Sequence, residues 1–137
     1  MTTLETKTSK PLNIGLWIAQ TILAAMFIMA GLMKSAQPIE TIAESLPWVT
    51  NTPEALVRFI GLSELLGGLG LILPALLRIK PFLTGWAALG LATVMLLAAI
   101  FHGTRGEFSG IGMNMILMAI ALFIAWGRLK KAPIQPK

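Results

Sequence analysis

Residues 82–101 read FLTGWAALGLATVMLLAAIF, a run of 20 residues with no charged side chain. An α-helix needs about 20 predominantly apolar residues to cross the roughly 30 Å hydrocarbon core of a bilayer. A helix that is apolar on every side is either buried in a large protein or surrounded by lipid. Because a chain of 137 residues offers no large interior, we predict that this run is a transmembrane helix.

Three more apolar runs accompany it: residues 12–33, 55–77 and 110–127. The whole chain is 55% hydrophobic and 12% charged, whereas soluble domains carry about 25% charged residues. We therefore predict an all-α fold, a four-transmembrane-helix bundle that forms one membrane domain over residues 12–127. Residues 1–11 and the basic segment 128–137 are expected to be cytoplasmic tails.

Lysine and arginine are distributed unevenly over the two ends of such a bundle. Lys34, Arg58 and Arg105 lie at one end, and the other eight lie at the end that carries both termini and the short connection 78–81. Those eight are Lys7, Lys10, Arg78, Lys80, Arg128, Lys130, Lys131 and Lys137. Because cytoplasmic segments carry the excess of Lys and Arg, we predict cytoplasmic termini and a multi-pass protein of the cell (inner) membrane. The net charge of +5 is explained in the same way and implies no nucleic-acid partner.

The long connection, residues 34–54, then faces outward and contains three glutamates. Its apolar residues at positions 39, 42, 43 and 46 have helical spacing. This spacing predicts a short amphipathic helix lying in the membrane interface on the outer side.

The chain contains no cysteine and one histidine. Disulfides, thiolate catalysis and Cys-ligated iron–sulfur clusters are therefore excluded, and so is haem ligation by two histidines. The sequence shows no metal-ligand spacing and no nucleophile placed beside a base. We predict no metal site and expect no catalysis by this chain on its own.

Five polar residues are candidates for a polar or ligand-binding cluster at the outer ends of the helices. They are Lys34, Arg58, Glu64, His102 and Asn114. All except Arg58 are assigned to a helix face that also carries small residues. Such faces let helices approach closely in a membrane, so we expect them to point inward. Glu64 follows Arg58 by six residues, which places it about 9 Å deeper at 1.5 Å per residue. The expected cluster opens outward and has one carboxylate at its floor.

Glu64 and His102 each have two interpretations. An unpaired carboxylate in hydrocarbon is strongly disfavoured, so Glu64 is either paired with Lys34 or Arg58 or protonated. A structural ion pair and a role in proton transfer or ligand binding are both open. His102 either serves as a proton relay or ligand donor or makes an interfacial hydrogen bond.

Three segments combine into a recognisable pattern. The first helix ends with FIMAGLMK at residues 27–34, and the second begins with RFIGLSELLGGLGLILP at residues 58–74. The third ends with FHGTRGE at residues 101–107, and Asn114 opens the fourth. This pattern resembles the DoxX-like family of small four-helix integral membrane proteins, and the five candidate residues match its polar positions. The family is named for a subunit of a thiosulfate–quinone oxidoreductase, so the resemblance implies a place in a membrane redox system and assigns no catalytic residue.

Three functions are open at this point. The first is an accessory subunit of a membrane redox assembly, with a quinone or isoprenoid-like lipid in the polar cluster and a protein partner that supplies electron transfer. The second is a non-catalytic membrane scaffold or assembly factor, as a partner of another protein or as a homo-oligomer in the lipid bilayer. The third is a small proton-coupled transporter similar to small multidrug-resistance exporters, although these carry their glutamate in helix one and Glu64 lies in helix two.

Overall fold

The computed structural model describes residues 9–137 and contains five α-helices over that range. They are α1 (Lys10–Ala36), α2 (Ile39–Ser45), α3 (Glu54–Leu77), α4 (Phe82–Thr104) and α5 (Ser109–Trp126). Helices α1, α3 and α4, and α5 together with the helical turn that extends it to Lys131, are long and apolar enough to cross a membrane. Residues 9–137 include no strand. The predicted all-α fold with four candidate membrane spans is therefore confirmed. The first eight residues, with Lys7 of the charge count and most of the predicted N-terminal tail, lie outside the described part.

Local signals explain where the helices begin and end. The Ser9 hydroxyl accepts a hydrogen bond from the Leu12 amide at 3.3 Å and so caps the start of α1. Arg78 and Lys80 adopt left-handed backbone conformations, with φ of 58° and 47°. These two residues reverse the chain between α3 and α4, and Pro81 then leads into α4. The two helices are consequently antiparallel neighbours, as their short connection predicts.

The four long helices form a ring in the order α1, α3, α4, α5, in which α1 packs most extensively on α3. Gly31 of α1 meets Gly61 of α3, and a Cβ added at Gly31 would lie 2.7 Å from the Gly61 carbonyl oxygen. Only glycine permits this approach, so the two helices touch backbone to backbone. Lys34 and Glu64 each follow one of these glycines by three residues, which places both side chains beside the contact.

The segment between α1 and α3 packs on one end of the ring, which we call the loop end. The opposite end, which carries Lys10 and Lys131, is called the terminal end. After α2 the chain forms the 3₁₀ turn Pro47–Asn51, and the buried side chains Ile42 and Val49 pack with Val57 of α3. A helix therefore exists where the loop was expected to have one, and its position in a membrane interface is taken up below as a proposal.

The helical chain continues beyond α5 as a π-helical turn, Gly127–Lys131. Arg128, which the sequence analysis assigned to the C-terminal tail, is only 3% exposed. Its guanidinium donates hydrogen bonds to the Gln20 and Asn13 side chains of α1, at 2.8 Å for Asn13, and lies 5.4 Å from the Trp17 ring. A buried guanidinium needs such partners, and they come from a helix more than 100 residues away in the sequence.

Candidate functional site

Lys34 and Glu64 form an ion pair near the loop end of the bundle. The Lys34 Nζ atom lies 2.8 Å from Glu64 Oε1, and the two side chains are 12% and 3% exposed. The Gly31–Gly61 contact one turn away brings α1 and α3 close enough for this bond. Of the two cations that the sequence offered as partners for Glu64, the structure pairs it with Lys34.

Arg58, the other cation that the sequence offered as a partner for Glu64, contacts the end of α1 instead. Its guanidinium donates to the backbone carbonyls of Lys34, at 3.1 Å, and Gln37, and it forms an ion pair with Glu54 at 3.2 Å. The last carbonyls of an α-helix have no partner within the helix, so Arg58 closes the end of α1. Arg58 does not line the cavity described next, because its donors are occupied by this helix end.

A cavity of about 720 Å³ lies at the loop end. Four of the five candidate residues line it: Lys34, Glu64, His102 and Asn114. Its remaining surface is mainly apolar and comes from α3, α4, α5 and the loop. A concave, mostly apolar space with a few polar groups is the usual form of a small-molecule site.

His102 faces the cavity from the end of α4. Its Nδ1 atom lies 2.9 Å from Glu107 Oε1, and Glu107 also pairs with Arg105 at 3.5 Å. The Trp48 and Phe101 rings stand edge-on to the imidazole, with centroids 5.6 and 5.4 Å away. The imidazole is thus oriented by one carboxylate and two aromatic rings.

Asn114 differs from the other candidates because its side-chain amide donor makes no hydrogen bond to the described residues. Its Nδ2 atom is buried and has no hydrogen-bond partner among the described residues. Leaving a buried amide donor unpaired costs roughly 1–3 kcal/mol. Asn114 belongs to the cavity wall, so a rotation of its amide would present this donor to an acceptor atom of a ligand.

Two further residues of this site, Glu107 and Trp48, are not among the five candidates that the sequence analysis selected. Glu107 belongs to the glycine-rich connection before α5, and Gly106 with φ of 73° turns the chain so that the Glu107 amide donates to the His102 carbonyl at 2.8 Å. The positions of the only histidine and of a glutamate five residues later could have suggested this pair. Trp48 carries no comparable signal, since a tryptophan near a membrane interface is common for other reasons.

Comparison with known proteins gave one finding. The sequence model described as "DoxX-like family" matches residues 18–124, which is more than half of the 137 residues. Searches of curated proteins and of solved structures gave no match.

Proposed function

This chain belongs to the DoxX-like family of membrane proteins, and on that premise we propose that it binds a quinone- or lipid-type molecule as an accessory subunit of a membrane redox assembly. The cavity at the loop end is the single observation that carries the proposal. It combines apolar walls with a small polar group made of Lys34, Glu64, His102 and Asn114. An amphipathic ligand with a polar head and an apolar tail matches both parts.

Electron transfer in such an assembly comes from a partner. One histidine and no cysteine do not supply the ligand sets of bis-histidine haem or of a Cys-ligated iron–sulfur cluster. In this proposal the chain holds and positions the quinone-type ligand, and a cofactor-bearing subunit exchanges electrons with it. Native mass spectrometry of complexes extracted from the source membrane tests this directly. We expect the chain together with a flavin-, haem- or iron–sulfur-bearing subunit, and a chain found only with copies of itself would contradict the redox role.

Asn114→Leu tests the cavity as a binding site for a ligand head. The variant keeps the side-chain size and removes a buried donor that has no partner among the described residues, so stability should stay unchanged or rise. Because one hydrogen bond contributes roughly 0.5–1.5 kcal/mol, we expect the affinity for decylubiquinone to fall about two- to twelvefold. Calorimetry in lipid nanodiscs measures this change. Met115→Leu, at an exposed position of the same helix, is the matched control. Equal affinities of the wild type and Asn114→Leu for decylubiquinone would refute the proposal that the ligand head binds in this cavity.

The loop end is proposed to face the outside of the cell membrane, with the terminal end in the cytoplasm and α2 in the outer interface. The excess of lysine and arginine at the terminal end supports this orientation. Because the chain has no cysteine, the variants Gln37→Cys and Gln135→Cys each carry a single reactive thiol. In intact cells a membrane-impermeant maleimide should label Gln37→Cys and leave Gln135→Cys unlabelled until the cells are lysed. The reverse labelling pattern would show that the terminal end faces outward and the loop end faces the cytoplasm.

A non-catalytic scaffold is the second candidate, and the Lys34–Glu64 bond favours it. Lys34 and Glu64 form an ion pair with each other at 2.8 Å inside the protein. An ion pair whose only role is to join α1 and α3 would have this arrangement. The outer loop would then be the surface for a protein partner. A wild-type protein that binds no quinone and no lipid in the cavity, but remains associated with a protein partner after Asn114→Leu, would favour this function over the first.

A further inference from the structure

Helices α3 and α4 touch near the turn that joins them. A Cβ added at Gly70 would lie 2.8 Å from Ala87 Cβ, and one added at Gly67 would lie 2.5 Å from Leu91 Cδ2. The two helices therefore leave no gap over this half of their length.

The same two faces separate toward the loop end. On α3, helical steps of three or four residues lead from Gly67 to Ser63 and Ile60, and both of these line the cavity. On α4, the same steps lead from Leu91 to Val94 and Ala98, which line it from the other side. The helices thus form a V-shaped cleft whose closed point lies near Gly67 and whose open part is the cavity.

The open part of the cleft reaches the lateral surface of the bundle. Phe59 of α3 and Leu97 of α4 both line the cavity, yet they are 66% and 60% exposed. In a membrane protein, an exposed apolar surface of this kind at a spanning helix faces lipid. The loop contributes residues 45–48 to the lining at the loop end, and Arg105 ties the loop to α4 by donating to the Thr52 hydroxyl at 3.3 Å. These loop residues border the cavity at the loop end, toward which the sequence analysis expects it to open.

The charges around the cavity are already matched. Lys34 pairs with Glu64, and Glu107 pairs with both Arg105 and His102. An anionic head such as a phosphate would add a negative charge beside pairs that are already neutral. A neutral acceptor adds no charge, and it can pair with the Asn114 Nδ2 donor, which has no partner among the described residues. The polar wall therefore favours a neutral head that accepts hydrogen bonds, such as a carbonyl or hydroxyl oxygen.

We propose that the cleft between α3 and α4 is a lateral portal through which a neutral, single-tailed molecule dissolved in the bilayer enters the cavity. The head reaches Asn114 and the tail lies between Phe59 and Leu97, in contact with lipid at the loop end. The ligand class rests on the proposed function, and the portal rests on the geometry of α3 and α4 alone.

A hydrophobic diazirine photolabel, dissolved in the membrane of proteoliposomes and activated by light, tests the portal without any ligand. We expect peptide mass spectrometry to find labelling at Val94 and Ala98 comparable with that at lipid-exposed Ile100, and little at buried Ala88. The variant Ala98→Trp fills the cleft and should abolish labelling at Val94, whereas Ala119→Trp, at an exposed position of α5, should leave it unchanged. Labelling of Val94 and Ala98 no stronger than that of Ala88 would overturn the portal.

Adding decylubiquinone at saturation separates the two proposals. Protection of Val94 and Ala98, with Ile100 still labelled, supports both the portal and the quinone-type ligand. Labelling that persists at all three positions keeps the portal and refutes a quinone-type occupant. In a third outcome, calorimetry shows that decylubiquinone binds, but Val94 and Ala98 are unlabelled even in its absence. This outcome supports the proposed function and refutes the lateral route.

Discussion

Lys34→Met should lower the free energy of unfolding by about 3–5 kcal/mol, because removing one partner of a buried ion pair leaves the other charge uncompensated. Glu64 is 3% exposed and its one hydrogen-bonded cation is Lys34 within the described residues. Methionine is close to lysine in length and keeps its apolar stem, so the loss of stability reports the removal of the positive charge. Unfolding by denaturant in detergent micelles measures it, and Lys130→Met, at an exposed position of the terminal end, should change stability by less than about 0.5 kcal/mol.

The double variant Lys34→Met/Glu64→Leu completes this experiment. Replacing both members of a buried pair with apolar residues is often neutral or stabilising, so we expect the double variant to recover most of the stability lost in Lys34→Met. If the cavity is a ligand site, the double variant will be stable and yet bind decylubiquinone weakly, because two polar groups of its wall are gone. A stable double variant with wild-type binding would assign the pair to structure alone. A wild-type stability for Lys34→Met would show that the pair does not hold α1 to α3.

Gly61→Ala should be strongly disruptive, because the added methyl group would meet the backbone of α1. Its Cβ would lie 2.6 Å from the Ser35 amide nitrogen and 2.7 Å from the Lys34 carbonyl carbon. These are backbone atoms, which cannot rotate away as a side chain can, so α1 and α3 must move apart. Overpacking of a tight contact costs about 1–3 kcal/mol and sometimes more, and we expect a loss at the upper end of that range. The separation should also lengthen the Lys34–Glu64 bond and weaken ligand binding.

Gly90→Ala is the matched control for Gly61→Ala. Apart from the surrounding turn of α4 itself, no atom of the described residues lies within 4 Å of a Cβ added at Gly90, and alanine is the better helix former. We therefore expect Gly90→Ala to leave stability unchanged or raise it by roughly 0.5–1 kcal/mol. The same unfolding measurement applies to both variants. Equal stability of Gly61→Ala and Gly90→Ala would contradict the backbone contact between α1 and α3.

The inward-facing helix surfaces could be predicted from residue type and spacing. Gln20, Phe27 and Gly31 of α1 and Gly61 and Glu64 of α3 are all buried, because the small residues beside the polar ones admit a neighbouring helix. The choice between Lys34 and Arg58 as the partner of Glu64 could not be predicted in this way. Both cations lie near the same helix ends, and only the packing of α1 on α3 directs Arg58 to backbone carbonyls instead.

The sequence by itself determined the all-α fold and its four candidate membrane spans, since the cost of burying polar backbone in lipid leaves a long apolar run no alternative to a helix. It also supplied five candidate residues for a polar cluster, four of which line the cavity. Tertiary structure alone decided three other features: the cavity, the cleft between α3 and α4, and the burial of Arg128 against Gln20 and Asn13. All three depend on how far apart two helices stand at a given depth, a distance set by side-chain contacts between residues remote in the sequence.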